Sequence, residues 1–226
     1  LNQIPALIAP ILSGRADYTK GNRFDSIEDL EQMPRLRILG NAVLSVFSKV
    51  SSGYWNVTDP TNGFTAIHRT VLERIKLEKV SSSFFFESDM LFRLSLARAV
   101  VEDVPMKARY LDEKSNLKIR KVLREFPARY FINHLKRIIY QYYLREWSVA
   151  SFELPLGLIL FGFGGIYGLS AFLGSSSSGT AATAGQVMIS ALPIIVGTQL
   201  LLSFINFDVG ATPRSARTSA SPWTSQ

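Results

Sequence analysis

The chain of 226 residues contains no cysteine. That excludes a disulfide framework and thiolate chemistry. Its two histidines, His68 and His134, lie far apart, so a metal site of the Cys/His type is excluded as well. From Leu154 to Phe207 there is no charged residue at all. No methionine opens the chain, and no charged stretch leads into an apolar run near Leu1. The sequence is therefore read as having no signal peptide and as starting inside a domain.

What is present is an excess of positive charge, +7 net, together with 47% hydrophobic residues. Basic charge suits nucleic acid or an anionic membrane surface, and its distribution decides between them. Eleven Lys and Arg fall between Lys107 and Arg145, directly before the uncharged stretch. A basic block against an uncharged block is a juxtamembrane pattern, and a nucleic-acid binder would leave the uncharged block unexplained.

Within that block, 154–173 and 187–207 are each about as long as a helix needs to cross a hydrocarbon core of ~30 Å. Gly157, Gly162, Gly164, Gly165 and Gly168 allow close helix approach, and Pro193 is expected to bend the second span. "GSSSSGTAATAGQ" reads as a short uncharged connection. The basic block predicts a hairpin with both ends cytoplasmic. Before it, 116–150 reads as basic amphipathic juxtamembrane helices. Phe131, Ile132, Leu135, Ile138, Ile139 and Tyr142 share the apolar face, and Arg120, Lys121, Arg124, Lys136 and Arg137 stand opposite. Residues 209–226 read as a disordered tail.

Residues 1–115 alternate helix and strand signals, an α/β order too poor in strands for a complete domain. A helix opened by Pro34 carries the stripe Leu36, Leu39, Val43, Val46 and Val50 and closes at Gly53. Three islands concentrate chemistry there. One is "KGNRF", with Arg23, followed by Arg35 and Arg37. The second is "VTDPTNGFTAI", in which Pro60 holds Asp59 extended while Asn62 and Gly63 tolerate positive φ. By local chemistry alone the second is a plain turn. The third is "FFFESDM", where Glu87 and Asp89 follow three phenylalanines. Carboxylates against an apolar wall can act as bases, and acids at a helix start also suit its dipole.

In their order, "GRADYTKGNRF", "MPRLRILGNAVLS", "TDPTNGFTAIHR", "FFFESDMLFRL", "VEDVPMKARYLDEKSN" and a pair of membrane spans resemble glycosyltransferase family 2, in the membrane-attached branch of polyprenyl-phosphate sugar transferases. The resemblance covers residues 1–208. It implies a GT-A type α/β domain, of which 1–115 would be the C-terminal half, an inverting mechanism, a nucleotide-sugar donor and a polyprenyl-phosphate acceptor at the membrane. It makes the loop of Asp59, Asn62 and Gly63 the acceptor side of an active site, with Asn62 where the family has Ser. Asp89 would be the base, with Glu87 second. Arg23, Arg37, Ser45, Arg109, Lys114 and Ser115 would hold the acceptor phosphate, although Lys114–Ser115 reverses the family's Ser-Lys order. Guanidinium and ammonium groups suit that anion.

The family holds Mg²⁺ or Mn²⁺ on the donor diphosphate through an Asp-x-Asp, and this sequence has none. The chain is accordingly expected to lack the donor-binding half and the metal ligands, and to be inactive alone. Two other readings stay open: a polysaccharide-synthase type acceptor, and an inactive truncated membrane module. Self-association is also left open.

Overall fold

The computed structural model describes residues 3–25, 35–106 and 119–216. It divides into two compact units, one formed by residues 1–140 with 211–226 and the other by 141–210. Across the described residues it is a mixed helical structure with a small sheet and two long apolar helices.

The first unit begins with α1 (Ile4–Leu12) and β1 (Tyr18–Asn22). Then come α2 (Arg35–Ser52), β2 (Thr65–Ile67) and the single turn α3 (Arg69–Leu72). After a 3₁₀ turn at Leu77–Lys79 follow α4 (Phe86–Leu96), β3 (Val101–Pro105) and α5 (Ile119–Ile139). The strand order is β2-β1-β3, with β1 antiparallel to β2 and parallel to β3. Strand β1 is buried along its whole length, as suits the centre of a sheet. Tyr18, Tyr54, Val57, Val71, Leu91, Leu94 and Val101 form the core beside it. The Tyr54 hydroxyl donates to the carbonyl of Ala99 at 2.6 Å, which satisfies the one polar atom that ring carries inward.

Two helices turn differently from the sequence expectation. In α2 the stripe Leu39, Val43 and Val46 faces outward, while Ser48, Ser51 and Ser52 are buried. The Ser52 hydroxyl donates back to the Ser48 carbonyl at 2.6 Å, whereas the buried Ser51 hydroxyl has no hydrogen-bond partner among the described residues. Helix α5 runs unbroken through Pro127. Its inner face carries Phe126, Tyr130, Asn133, Arg137 and Ile138. Arg137, read from sequence on the face opposite the apolar stripe, is 1% exposed and donates to the Val50 carbonyl at 3.0 Å. Gly53, at φ 76, leaves the room that this guanidinium occupies.

After a π-helical turn at Tyr140–Arg145, the second unit holds α6 (Val149–Ser178) and α7 (Ala184–Gly210). Both are long and apolar enough to cross a membrane. They outrun the expected spans, because the serine run is helical. Ser177 and Ser178 return their hydroxyls to the Gly174 carbonyl, and Gly179, at φ 65, ends the helix. Close packing between the pair rests on small residues. A Cβ at Gly164 would meet the Ser190 carbonyl at 2.6 Å, and one at Gly197 the Phe161 nitrogen at 2.6 Å. Gly162 and Gly165 face open space. Tyr142 is buried and donates to Asp208 at 2.7 Å, which satisfies the one carboxylate in α7. Of the stretch read as a tail, residues 217–226 lie outside the described part. Within the first unit, Thr212 donates to the Gly53 carbonyl and Ala216 is buried with Ala16 and Val100.

Candidate active site

The end of β1, the loop 57–64 and the start of α4 meet at one place. The backbone explains why the loop lies there. Gly21 donates its N–H to the Phe64 carbonyl at 2.9 Å and accepts from the Asn62 amide at 2.7 Å. A Cβ on Gly21 would run into Met106 and stand 2.9 Å from Asn62 Nδ2, so only glycine lets the loop come this close. Asn62 also accepts from Phe64 N at 3.0 Å, the Asx-turn that its residue type favours.

Asp59 is fully buried and is held by Arg23 from two sides of the guanidinium, Nε to Oδ2 at 2.7 Å and Nη2 to Oδ1 at 3.0 Å. The Arg23 backbone N–H adds 3.3 Å, and Nη2 reaches the Thr61 hydroxyl at 3.2 Å. Arg23 and Asp59, 36 residues apart in sequence, thus join two of the islands through a bidentate pair. Ser45, on α2, donates to the Thr58 carbonyl at 3.1 Å and brings a third element to the loop.

The two acids of α4 have different surroundings. Asp89 is buried and fully engaged. Its Oδ2 accepts from Ser81 N at 2.9 Å and from Arg93 Nε and Nη2 at 3.2 and 3.1 Å, and Oδ1 accepts from Asn133 at 3.4 Å. Glu87 is half-buried, with no hydrogen bond or ion pair among the described residues. One of its oxygens lies 3.4 Å from where a Cβ of Gly63 would be, and Gly63 is exposed. Phe85 anchors this helix start in a cluster with Phe126 and Tyr130, while Phe84 and Phe86 point outward.

Arg37 sits in the first turn of α2, with its side chain outside the described part. Arg109, Lys114 and Ser115 lie outside the described residues. The structure therefore brings together Arg23, Ser45, Asp59, Asn62, Gly63 and Glu87, while Asp89, two residues further along α4, is buried and bonded to Ser81, Arg93 and Asn133 instead.

Two residues of the site went unread in the sequence. Lys20 is fully buried on β1 and donates to the Asn62 carbonyl. Burial pushes its ammonium down to about 8, against Glu87, Asp59 and Asp103, which all favour the charged form. Asp103 pairs with Lys20 across β1 and β3 and accepts from Thr58 N at 2.7 Å. Burial raises its pKa, the Thr58 contacts lower it, and its other oxygen has no hydrogen-bond partner among the described residues. A lysine inside a strand before glycine was the available signal, but strand alternation does not say which face is closed.

These residues do not fit a resident metal ion. Arg23 closes Asp59, Arg93 closes Asp89, and no group of three metal-ligating side chains forms among the described residues.

No family model matches the chain. Over 111 residues it is 24% identical to the UDP-N-acetylglucosamine--dolichyl-phosphate N-acetylglucosaminyltransferase of Methanococcus voltae. The match covers 49% of this chain and 44% of that protein. The chain is thus similar to a sugar transferase over less than half of that enzyme's length.

Proposed function

We propose that this chain carries the acceptor side of a membrane-attached, inverting glycosyltransferase of the GT-A type. The enzyme would move a sugar from a nucleotide diphosphate to a polyprenyl phosphate on the cytoplasmic face. The observation that carries the reading is the placing of Glu87 beside the exposed Gly63 of a loop clamped to β1 by Arg23 and Asp59. Its support is the likeness to a dolichyl-phosphate transferase and the two helices able to span a membrane.

In this reading an acceptor oxygen attacks the sugar's anomeric carbon while the nucleotide diphosphate leaves from the opposite face. Gly63 keeps the loop open to the acceptor, and Glu87 faces it. Asp89, of the catalytic pair, acts through position, because its bonds to Ser81, Arg93 and Asn133 hold the helix start. Arg23 is the clamp of the loop, which leaves Arg37, Arg109, Lys114 and Ser115 as the candidate phosphate ligands. Donor binding and its metal are not assigned to any described residue.

Glu87, which has no hydrogen-bond or ion-pair partner among the described residues, also favours a second reading, in which the acceptor is a sugar hydroxyl of a growing glycan. The acceptors differ in what they ask of Glu87. A phosphate monoester is already ionised at neutral pH and needs no base, whereas a hydroxyl must lose its proton. Membranes carrying the natural protein should transfer labelled sugar from a nucleotide donor to polyprenyl phosphate. With a phosphate acceptor, Glu87→Gln should lower the rate only slightly. A loss of about 10²–10⁴-fold would mark a hydroxyl acceptor. If no nucleotide sugar gave a labelled lipid, the proposal would fall.

A further inference from the structure

Helix α7 has two unlike sides. One packs on α6: a Cβ at Gly197 would stand 2.9 Å from the Gly157 carbonyl, and Leu201 lies against Gly157. Half a turn around from that contact, by helical periodicity, runs the row Met188, Leu192, Ile195, Gln199, Leu202 and Asn206, every member exposed. Two of the six are amides, and neither makes a hydrogen bond among the described residues. We propose that a second copy of this chain packs on this row, α7 against α7 in parallel, with the two Gln199 amides bonded to each other inside the membrane.

The first observation is the position of Gln199. It stands near the middle of Ala184–Gly210, where a bilayer offers an amide nothing to bond. The hydroxyls nearby have no such need. Thr198 donates to the Ile194 carbonyl at 2.7 Å, Ser203 to Glu153 at 2.8 Å and, on α6, Ser170 to the Tyr167 carbonyl at 2.8 Å. A short hydroxyl reaches the backbone of its own helix, whereas an outward glutamine has to find a partner beyond it.

The second is spacing. The row advances by four and three residues in turn, the heptad alternation of two helices that wind around each other. Gln199 and Asn206 fall at the same heptad position, where a lone polar residue fixes register and partner number.

The third is chemistry. Parallel copies related by a two-fold axis along the membrane normal set each residue opposite itself. An amide carries both donors and an acceptor, so glutamine can satisfy glutamine, and the row has no charge to repel its twin. Lipid chains could cover Leu192 or Ile195 equally well but could give Gln199 no bond.

This pairing rests on α6 and α7 being membrane spans, and the test separates the two. The chain has no cysteine, so Ile195→Cys and Leu202→Cys place single ones on the row. Ile205→Cys lies aside from it on α7, and Ile166→Cys on α6; both native residues are exposed. Each purified full-length variant is reconstituted in liposomes at high lipid-to-protein ratio and oxidised with copper phenanthroline. Positions 195 and 202 should give a disulfide-linked dimer, and 205 and 166 should not. In the Ile195→Cys background Gln199→Leu should lower the dimer fraction about threefold or more, while Gln199→Asn should keep most of it. Equal yields at all four positions would mean random collision and overturn the proposal. No disulfide at 195 and 202 would mean an unpaired row and overturn it too, as would a yield indifferent to Gln199→Leu. A membrane-impermeant maleimide, added before oxidation, reads the spans themselves. Ile166→Cys should stay unlabelled until detergent is added. Ready labelling there would overturn the membrane reading along with the pairing, whereas protection at 166 without a disulfide at 195 would overturn the pairing alone.

Discussion

Arg23→Ala is expected to destabilise the first unit by about 3–5 kcal/mol, the usual penalty for orphaning one member of a buried ion pair. The carboxylate left behind is Asp59, which is fully buried and takes three of its contacts from Arg23. The reverse substitution should be milder. Asp59→Asn leaves a guanidinium at 17% exposure, close enough to solvent to find water. Removing both charges should recover part of the loss, since no unpaired ion then remains. Arg23→Lys should recover little, because an ammonium cannot span both oxygens. Thermal unfolding in detergent, followed by circular dichroism without any lipid phosphate, reads all four. A role confined to holding the acceptor phosphate predicts unchanged melting for Arg23→Ala under those conditions. That result would return Arg23 to the phosphate site and dissolve the clamp.

The second large effect is a stability that rises with pH. Lys20 titrates near 10.5 when unfolded and near about 8 when folded, its burial outweighing three nearby carboxylates. Below about 8 both states hold the proton, and the whole penalty, ~3 kcal/mol, is present. Above it the unfolded chain binds more protons than the folded one, so stability climbs as pH rises towards 10.5. Tyr18 and Tyr130, pushed up to about 12 by burial, act with the opposite sign once unfolded tyrosines begin to ionise near 10. The climb should therefore be sought between about pH 8 and 10, and Lys20→Met should abolish it. Equal pH slopes in the two proteins would show that Lys20 is not the source.

The fold was legible in the sequence where a single physical signal dominates. An uncharged run longer than fifty residues could become little but apolar helices, and the Asn-Gly turn specified its own Asx bond. The candidate site was legible as a set of islands but not as bonds. Asp89 and Glu87 look alike in "FFFESDM". Only the spacing of Asp89 to Arg93, four residues along a helix, hinted which acid is tied down. Helix α2 was the hardest element. Periodicity finds a stripe without saying which side of it meets the core. Here three small serines, one of which returns its hydroxyl to the helix backbone, take the buried side, and the apolar side is left outward. Lys20 was missed for a related reason, since a buried cation is intelligible only once the loop carbonyl and carboxylates around it are known.

The return of the chain at Ala211 carries a consequence for topology. Residues up to Tyr140 and residues from Ala211 onward belong to one compact unit, in which Thr212 bonds to Gly53 and Ala216 is buried beside Ala16. Everything between is therefore an excursion that begins and ends at the same body. If that body lies on one side of a membrane, the excursion must cross an even number of times. Two helices satisfy this parity; a single crossing would leave Thr212 and Ala216 stranded on the far side. The sidedness of the hairpin is then enforced by chain closure itself, independently of the basic residues that precede it.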